Sequence, residues 1–301
     1  MGINASGQIA GYAQDSAYGY IGFVQSPGGD LTTFQYSSGQ FISAEGTICD
    51  GVNSSGTALC RFAYSGTTIF TRTWAGVSTP VVLPTGDMSW NPAAVNDQGD
   101  IAGQFEDSNF QFHAYLRAHD GTFTPFDPPT GGVSGISGIN DAGEIIGEFI
   151  DGQNRLHGFM RTVDGVFTQI DAPGPSGEAT YLTDLYGINS SGAMVGSVRA
   201  ASGYHGFLRT AGGTVTLIDP PGVGGPGSYA SAINTSGVIA GYFYDSNSVS
   251  HGYVRNLDYS FTIIDHPDAY AGTFISGLND SGQVVGTYVD AQGAFHGFVR
   301  K

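Results

Sequence analysis

The chain has 301 residues, of which 48 are glycine and only 12% are charged. The 26 Asp and Glu residues outnumber the 10 Lys and Arg residues, and the formal net charge of −16 argues against nucleic acid or an anionic membrane surface as a partner. No run of about 18 apolar residues is present, so we expect no membrane insertion. No signal peptide is present, and since the repeat pattern is already running at residue 2, we expect that a leader has been removed.

In chain order, the sequence repeats the phrase Asn-x-x-Gly at intervals of 43 to 49 residues. Spacing of this size is typical of propeller blades or helical arrays. No copy shows apolar residues at a 3.6-residue period. Each copy instead has short runs of β-forming residues separated by Gly, Asn, Asp and Pro, which predicts strands and turns. The repeated asparagines are Asn4, Asn53, Asn96, Asn140, Asn189, Asn234 and Asn279.

One repeat, residues 133–173, shows the predicted elements most clearly. Its strands are "GISGIN", "EIIGEFI", "LHGFMR" and "VFTQID", and a Pro/Gly-rich link follows them. Asn at the first position of the turn "NDAG" and Gly at the fourth predict a three-residue hairpin loop with a glycine bulge. The adjacent apolar residues Ile145 and Ile146 predict that the second strand is covered on both faces.

Short turns within each repeat, and a long link from each fourth strand to the next first strand, predict a propeller. The predicted fold is an all-β, seven-bladed β-propeller of four-stranded antiparallel blades, a single domain over residues 1–301. The last blade lacks its outer strand and the first begins at the end of its innermost strand, so we expect closure by packing of the last blade against the first. A six-bladed ring is the alternative. The predicted blades start near residues 2, 46, 89, 133, 181, 228 and 273.

Three phrases recur across nearly the whole chain. They are GIN-x-x-G (2–7, 187–192), ID-x-P (170–173, 218–221, 264–267) and HGF (157–159, 205–207, 296–298), the last with variants HAY (113–115) and HGY (251–253). On these phrases the chain resembles the bacterial extracellular HAF-repeat family. The resemblance implies β-propeller-type repeats and export to the cell surface or medium, and it transfers no catalytic residue. The segment 58–74 departs most, because it has lost the Gly of the second strand and the His of the third.

Four repeats place an Asp six residues before the His of the third strand, on the two sides of one hairpin loop. A metal site or an acid–base pair is one interpretation. Because a catalytic site occurs once whereas this pattern recurs, we favour a structural hydrogen bond that pins the loop. We expect the aspartates of the ID-x-P type, at 127, 171, 219 and 265, to cap the turns that follow them. The Asp/His pairs are Asp107/His113, Asp151/His157, Asp245/His251 and Asp290/His296.

Two cysteines, Cys49 and Cys60, flank the Asn53 turn on adjacent strands. A hairpin without a bulge would place them opposite each other, whereas the glycine bulge favoured by the turn places Arg61 opposite Cys49. We therefore expect no disulfide, although export would permit one.

The residues that interrupt the repeat are the candidates for a binding site, because loops on a rigid scaffold carry function. The residue after the second-strand Gly varies between repeats, and the long links carry aromatic and charged residues. Acids, an Arg and aromatic rings around a funnel suit a sugar or a peptide; ordinary solvated loop residues are the alternative. The ligand-binding candidates are Tyr12, Arg61, Trp90, Gln104, Tyr181, Tyr229, Tyr242, His266 and Tyr270.

No nucleophile elbow, phosphate-binding loop, zinc spacing or dinucleotide fingerprint is present, so we predict neither a cofactor nor a metal. The favoured function is a monomeric, secreted or cell-surface module that binds glycans or proteins on its loop face. A glycoside hydrolase or polysaccharide lyase is the alternative, with Glu148 and Asp184 on neighbouring repeats as the carboxylate pair. A purely structural surface repeat is the third hypothesis.

Overall fold

A computed structural model describes residues 1–15, 19–35, 46–62, 69–82 and 89–301, although not the side chains of residues 15, 89 and 90. The chain divides into two compact units, Met1–Pro128 and Pro129–Lys301. Throughout the described ranges the regular structure is β, apart from a single 3-10 turn at Pro175–Gly177. None of the described segments forms a helix of the length and apolarity needed to cross a membrane.

The N-terminal unit is built from meanders, by which we mean antiparallel strands paired in chain order. Each meander here has four strands. The first comprises β1 (Gly2–Ile3), β2 (Ile9–Asp15), β3 (Gly19–Gln25) and β4 (Leu31–Phe34). The second comprises β5 (Thr47–Val52), β6 (Ala58–Phe62), β7 (Ile69–Arg72) and β8 (Ser78–Pro80). The third comprises β9 (Ser89–Val95), β10 (Ile101–Glu106), β11 (Phe112–Arg117) and β12 (Phe123–Phe126).

The C-terminal unit continues the same pattern. Its meanders are β13 (Gly132–Ile139), β14 (Ile145–Ile150), β15 (Leu156–Arg161) and β16 (Phe167–Ile170), then β17 (Thr180–Ile188), β18 (Met194–Ala200), β19 (Gly203–Arg209) and β20 (Val215–Ile218). They are followed by β21 (Ser228–Ile233), β22 (Ile239–Tyr244), β23 (Ser250–Arg255) and β24 (Phe261–Ile264), and by the three strands β25 (Gly272–Leu278), β26 (Val284–Val289) and β27 (Phe295–Arg300). Single parallel bridges join β15 to β17 and β23 to β25.

The Asn-x-x-Gly turns have the predicted geometry. In the turn 140–143, Gly143 N donates to Asn140 O at 3.0 Å, and Asn140 N donates to Glu144 O at 3.0 Å. Gly143 has φ of 77°, in the left-handed region that glycine adopts without strain. The same two hydrogen bonds recur at the other six copies, which confirms the glycine-bulge hairpin.

Five of the turn asparagines also join one meander to the next, which the turn chemistry alone does not predict. Asn140 Oδ1 accepts from Glu144 N at 2.9 Å, while Asn140 Nδ2 donates to Asn189 O at 3.1 Å. The same step joins Asn189 to Asn234, Asn234 to Asn279, Asn4 to Asn53 and Asn53 to Asn96, at 2.9 to 3.3 Å. These asparagines are buried, so a missing partner would leave a desolvated polar group.

The core lies between successive meanders. On β18, Met194 packs with Ile146 in one hydrophobic cluster, whereas the adjacent Val195 packs with Ile239 and Tyr253 in another. Both β18 residues are fully buried, and burying a side chain of this size contributes about 1.5–3 kcal/mol. The prediction that the second strand is covered on both faces is confirmed.

Candidate functional site

The third-strand histidines lie beside the aspartates six residues earlier. His157 Nε2 is 3.2 Å from Asp151 Oδ2, and His296 Nε2 is 2.7 Å from Asp290 Oδ2. The corresponding distances are 3.6 Å for Asp107/His113 and 3.7 Å for Asp245/His251. The two side chains are therefore neighbours across the hairpin loop in all four pairs, but the predicted hydrogen bond forms only in Asp151/His157 and Asp290/His296.

The ID-x-P aspartates hold the other nitrogen of the same imidazole rings. His157 Nδ1 lies 2.6 Å from Asp171 Oδ1. We expected these aspartates to cap local turns; their carboxylates instead bind a histidine on the neighbouring strand, because each follows the end of a fourth strand that pairs with the third. The equivalent contacts, at 2.9 to 3.0 Å, are His113/Asp127, His205/Asp219 and His251/Asp265.

In the contact between His157 and Asp151, the pKa values of both groups are shifted. Burial opposes the charging of His157, yet its hydrogen bonds to Asp171 and Asp151 outweigh burial and raise its pKa. The backbone N–H of Arg155, with further hydrogen bonds, lowers the pKa of Asp151. Because the arrangement recurs between meanders, we assign it to loop stability. Within the described ranges, no group of three or more His, Cys, Asp or Glu side chains has a geometry that could hold a metal ion.

Cys49 and Cys60 form a disulfide, so the expectation of unpaired cysteines was wrong. The glycine bulge is present and sets Val52 opposite Ala58. A second bulge, at Asp50 in β5, then shifts the register by one residue and places Cys49 opposite Cys60, with their Cα atoms 4.0 Å apart. The second bulge thus reverses the one-residue shift in strand register that the glycine bulge introduces.

The second bulge recurs three residues before the turn asparagine. A bulge re-aims the side chain of its extra residue, and in three meanders it brings that residue to the variable position of the second strand, which follows a glycine or, in the second meander, Cys60. The contacts are Asp50 to Arg61 at 3.0 Å, Ser137 to Glu148 at 2.8 Å and Tyr186 to Ser197 at 2.9 Å. The bulged residues are Asp50, Ala93, Ser137, Tyr186, Ser231 and Ser276.

Glu148 and Asp184 interact electrostatically within the C-terminal unit. Ser137 Oγ and Leu185 N donate to Glu148 Oε1 at 2.8 and 3.0 Å. Desolvation outweighs these hydrogen bonds and, with the charge of Asp184, raises the pKa of Glu148 to about 7. Burial also raises the pKa of Asp184. Glu148 is therefore able to donate or accept a proton near neutral pH.

Tyr186, which no sequence prediction named, completes the polar part of this site. Its hydroxyl lies 2.9 Å from Ser197 Oγ and donates to Asp184 Oδ2 at 3.4 Å. Desolvation and the Asp184 charge raise the pKa of Tyr186, so the hydroxyl stays protonated at neutral pH. The signal in the sequence is its position three residues before Asn189, where the other described bulges carry Asp, Ala or Ser.

Four rings, which we call the aromatic run, adjoin these polar groups: Tyr204, Tyr229, Tyr242 and Phe274. Tyr229 and Tyr242 are cross-strand partners whose rings stack at 4.8 Å. Tyr204 stacks on Tyr229 at 5.2 Å, and Phe274 meets Tyr242 edge-to-face at 5.1 Å. All four are half-buried. Strand β21, which carries Tyr229, packs against β17 and β18. Desolvation raises the pKa of Tyr229, and the neighbouring tyrosines and the Asp184 charge add to this shift, so the aromatic run lies beside Asp184.

The remaining C-terminal candidates have other neighbours. Tyr181 is 60% exposed and lines a small pocket with His157 and Asp171. His266 stacks on Tyr288 with ring centroids 3.8 Å apart, and Tyr270 is largely exposed. Sequence reasoning therefore found Glu148, Asp184, Tyr229 and Tyr242 of the site but missed Ser137, Tyr186, Tyr204 and Phe274.

The candidates in the N-terminal unit do not form a comparable cluster within its described residues. Tyr12 meets Tyr20 edge-to-face at 5.5 Å, and Arg61 is bound by Asp50. Gln104 is the cross-strand partner of Asn91. Trp90 pairs with Phe105 through its backbone, and its side chain lies outside the described part of the chain.

Known proteins resemble the chain in structure rather than in sequence. No protein-family model matches it, and no curated protein matches it in sequence. Virginiamycin B lyase from Staphylococcus aureus superposes with a TM-score of 0.62 at 16% identity, covering 100% of this chain and 94% of the lyase. TolB from Acinetobacter baumannii gives 0.58 at 13% identity, covering 86% of this chain and 63% of TolB. Both are β-propeller proteins.

The fold is all-β and of the β-propeller type. A puromycin hydrolase gives a TM-score of 0.65 at 13% identity, covering 99% of this chain but 51% of the hydrolase. At these identities the similarity concerns the fold alone. The resemblance to HAF repeats rests on the recurring sequence phrases.

Proposed function

We propose that the chain is a β-propeller binding module that holds a glycan on the aromatic run and its adjoining carboxyl pair. The observation that carries this proposal is the contiguous set of half-buried rings, Tyr204, Tyr229, Tyr242 and Phe274, next to Glu148 and Asp184. Tyrosine offers a flat apolar face and a polar tip in one rigid side chain. Binding sites typically combine such faces with a few convergent polar groups.

The polar groups of the site suit sugar hydroxyls. Desolvation raises the pKa values of Tyr186 and Tyr229 and raises that of Tyr242 to about 12, so their hydroxyls remain donors at neutral pH. Asp184 and Glu148 supply acceptors. A net charge of −16 disfavours polyanionic ligands, so a neutral glycan is the favoured class.

We infer further that each meander is one blade, which gives seven blades in a single domain over residues 1–301. A six-bladed ring is the alternative. The strand order supports the blade assignment, and the similar β-propeller structures support the architecture. We also propose export to the cell surface or medium as an HAF-repeat protein; the Cys49–Cys60 disulfide supports this location, because disulfides persist in oxidising compartments.

A glycan array probed with the folded chain tests the binding proposal. We expect hits whose affinity falls at least about fivefold in Tyr229→Ala and Tyr242→Ala, since a central aromatic contact contributes more than about 1 kcal/mol. Tyr259→Ala, which removes an exposed ring stacked on Arg255, is the matched control and should bind as the wild type does. No glycan hit, or hits unaffected by both site variants, would refute the proposal and leave a protein partner as the next test.

A glycoside hydrolase is the second candidate function, favoured by the raised pKa values of Glu148 and Asp184. Such enzymes place two carboxyl groups on either side of the scissile bond, one of them protonated as the general acid. Product analysis by mass spectrometry on every array hit tests it. Turnover that disappears in Glu148→Gln would establish catalysis, whereas binding without turnover would exclude this role for the pair.

A further inference from the structure

One hairpin of the C-terminal unit departs from the arrangement in which a third-strand histidine lies between a loop aspartate and an ID-x-P aspartate. The turn between β18 and β19 has only two residues, Ala201 and Ser202, because Ala200 pairs with Gly203. This short turn places the exposed Ser202 beside the third-strand His205, where other hairpins place an aspartate. Ser202 Oγ lies 2.9 Å from His205 Nε2.

The second ring nitrogen of His205 contacts an aspartate, as the third-strand histidines of other meanders do. Its Nδ1 lies 2.9 and 3.0 Å from the two carboxylate oxygens of Asp219. Asp219 is itself oriented by Ser228, whose Oγ lies 2.8 Å from Asp219 Oδ1. With Nδ1–H donating to the carboxylate, Nε2 of the neutral ring is the acceptor that faces Ser202.

From this geometry we propose that Ser202, His205 and Asp219 form a serine acyl-transfer site for activated esters. A hydroxyl within hydrogen-bond reach of an imidazole, oriented in turn by a carboxylate, is the arrangement that activates a serine nucleophile. The proposal does not depend on the proposed glycan site, although Tyr204 of the aromatic run directly precedes His205. Ser202 is exposed, so an ester can approach its oxygen.

The reaction needs no cofactor, because His205 takes up and returns every proton that is transferred. As the Ser202 Oγ–carbonyl carbon bond forms, the hydroxyl proton passes to His205 Nε2. The bond from carbon to the alcohol oxygen then breaks, and that oxygen takes the proton from Nε2, which leaves an acyl-serine. Water repeats the same two proton transfers and releases the carboxylic acid. Asp219 acts as a positioning residue, because it holds the ring in the required tautomer.

Glu178 limits the reactivity of the site. Its Oε2 accepts the Ser202 hydroxyl at 2.6 Å, and its Oε1 accepts the Ser202 backbone N–H at 3.1 Å. The first contact competes with His205 for the single hydroxyl proton. The second occupies the amide that would otherwise stabilise an oxyanion formed on Ser202, a contribution of about 10²–10³ in rate in hydrolases. We therefore expect activated aryl esters, not amides, to react.

Covalent labelling with an alkyl fluorophosphonate tests the site. The reaction forms an Oγ–P bond and expels fluoride, and peptide mass spectrometry locates the adduct. We expect the adduct on Ser202, lost in Ser202→Ala and formed about 100-fold or more slowly in His205→Gln, because the general base is missing. Ser281→Ala, at an exposed serine whose hydroxyl donates to Asn279 Oδ1, is the matched control and should leave labelling unchanged.

Two further variants keep the test decisive if His205→Gln fails to fold. Asp219→Asn should also slow labelling, because it loses the tautomer-fixing carboxylate. Glu178→Ala should accelerate labelling by about tenfold or more, since it frees both the hydroxyl and the amide of Ser202. An unlabelled Ser202 in folded wild type and folded Glu178→Ala, or labelling that persists in folded Asp219→Asn at the wild-type rate, would overturn the proposal and leave Ser202 a structural loop contact.

Discussion

Glu148→Gln isolates the cost of ionising a desolvated carboxyl in the candidate site. The glutamine keeps an oxygen that can accept from Ser137 Oγ and Leu185 N, the two donors bound by Glu148 Oε1. It removes the charge that is unfavourable beside Asp184. The variant should therefore change how stability depends on pH more than it changes packing.

The sign follows from a pKa of about 7 in the folded protein against an ordinary value of 4.5. The folded state holds the proton between these values while the unfolded state releases it, so wild-type stability falls as the pH rises from about 4.5 to about 7. The full shift corresponds to about 3 kcal/mol, at about 1.4 kcal/mol per pH unit. Glu148 keeps partial solvent contact, so we expect about 1–2 kcal/mol after screening.

Urea unfolding at pH 5 and pH 8 measures this difference. We expect Glu148→Gln to match the wild type at pH 5 and to exceed its free energy of unfolding by about 1–2 kcal/mol at pH 8. Glu106→Gln, on β10, is the matched control because it removes a carboxyl that has no such partner among its described contacts. An equal pH dependence in wild type and Glu148→Gln would refute the reasoning.

Two further predictions concern the scaffold. Asn189→Ala should lower the free energy of unfolding by about 1–3 kcal/mol in urea titrations, because it removes the hydrogen bond to the next turn at Asn234 O and the acceptor of Ala193 N; a loss no larger than that of the exposed Ser190→Ala would contradict it. Asp171→Asn should lower the pKa of His157 in NMR titrations. Since that pKa is raised in the folded state, its stabilisation is complete below about pH 6.5 and is lost at higher pH, so the variant should lose more stability at pH 6 than at pH 9. Equal losses would argue against it.

The sequence predicts the strands and turns well because each repeat carries its own local signals. Asn followed by Gly three residues later specifies a turn wherever it occurs, and paired apolar residues mark the covered second strand. The same local reasoning failed for Cys49 and Cys60. Their pairing depends on the bulge at Asp50. The bulged position carries Asp, Ala, Ser or Tyr in different repeats, so no residue type at this position predicts the bulge.

The candidate site was half predicted for a related reason. Glu148 and Tyr242 stand out because they vary at one position of an otherwise regular strand. Tyr186 and Phe274 stand on first strands, where the extra bulge residue decides which side chains reach the second strand. Asp171 was found as a repeated residue but given the wrong partner, because a contact to His157 joins positions 14 residues apart on neighbouring strands.

At the first position of the turn, local chemistry permits either Asn or Asp, and contacts between meanders then select Asn. Asp and Asn both favour the first position of this turn, and either offers an Oδ1 to accept from the backbone four residues on. Only Asn also offers Nδ2, which donates to the carbonyl of the next turn in the described steps from Asn140 to Asn189 and from Asn189 to Asn234. An aspartate there would set a buried carboxylate against a carbonyl oxygen, with no donor between them. The need for that donor accounts for Asn rather than Asp at the five turns where this hydrogen bond is described.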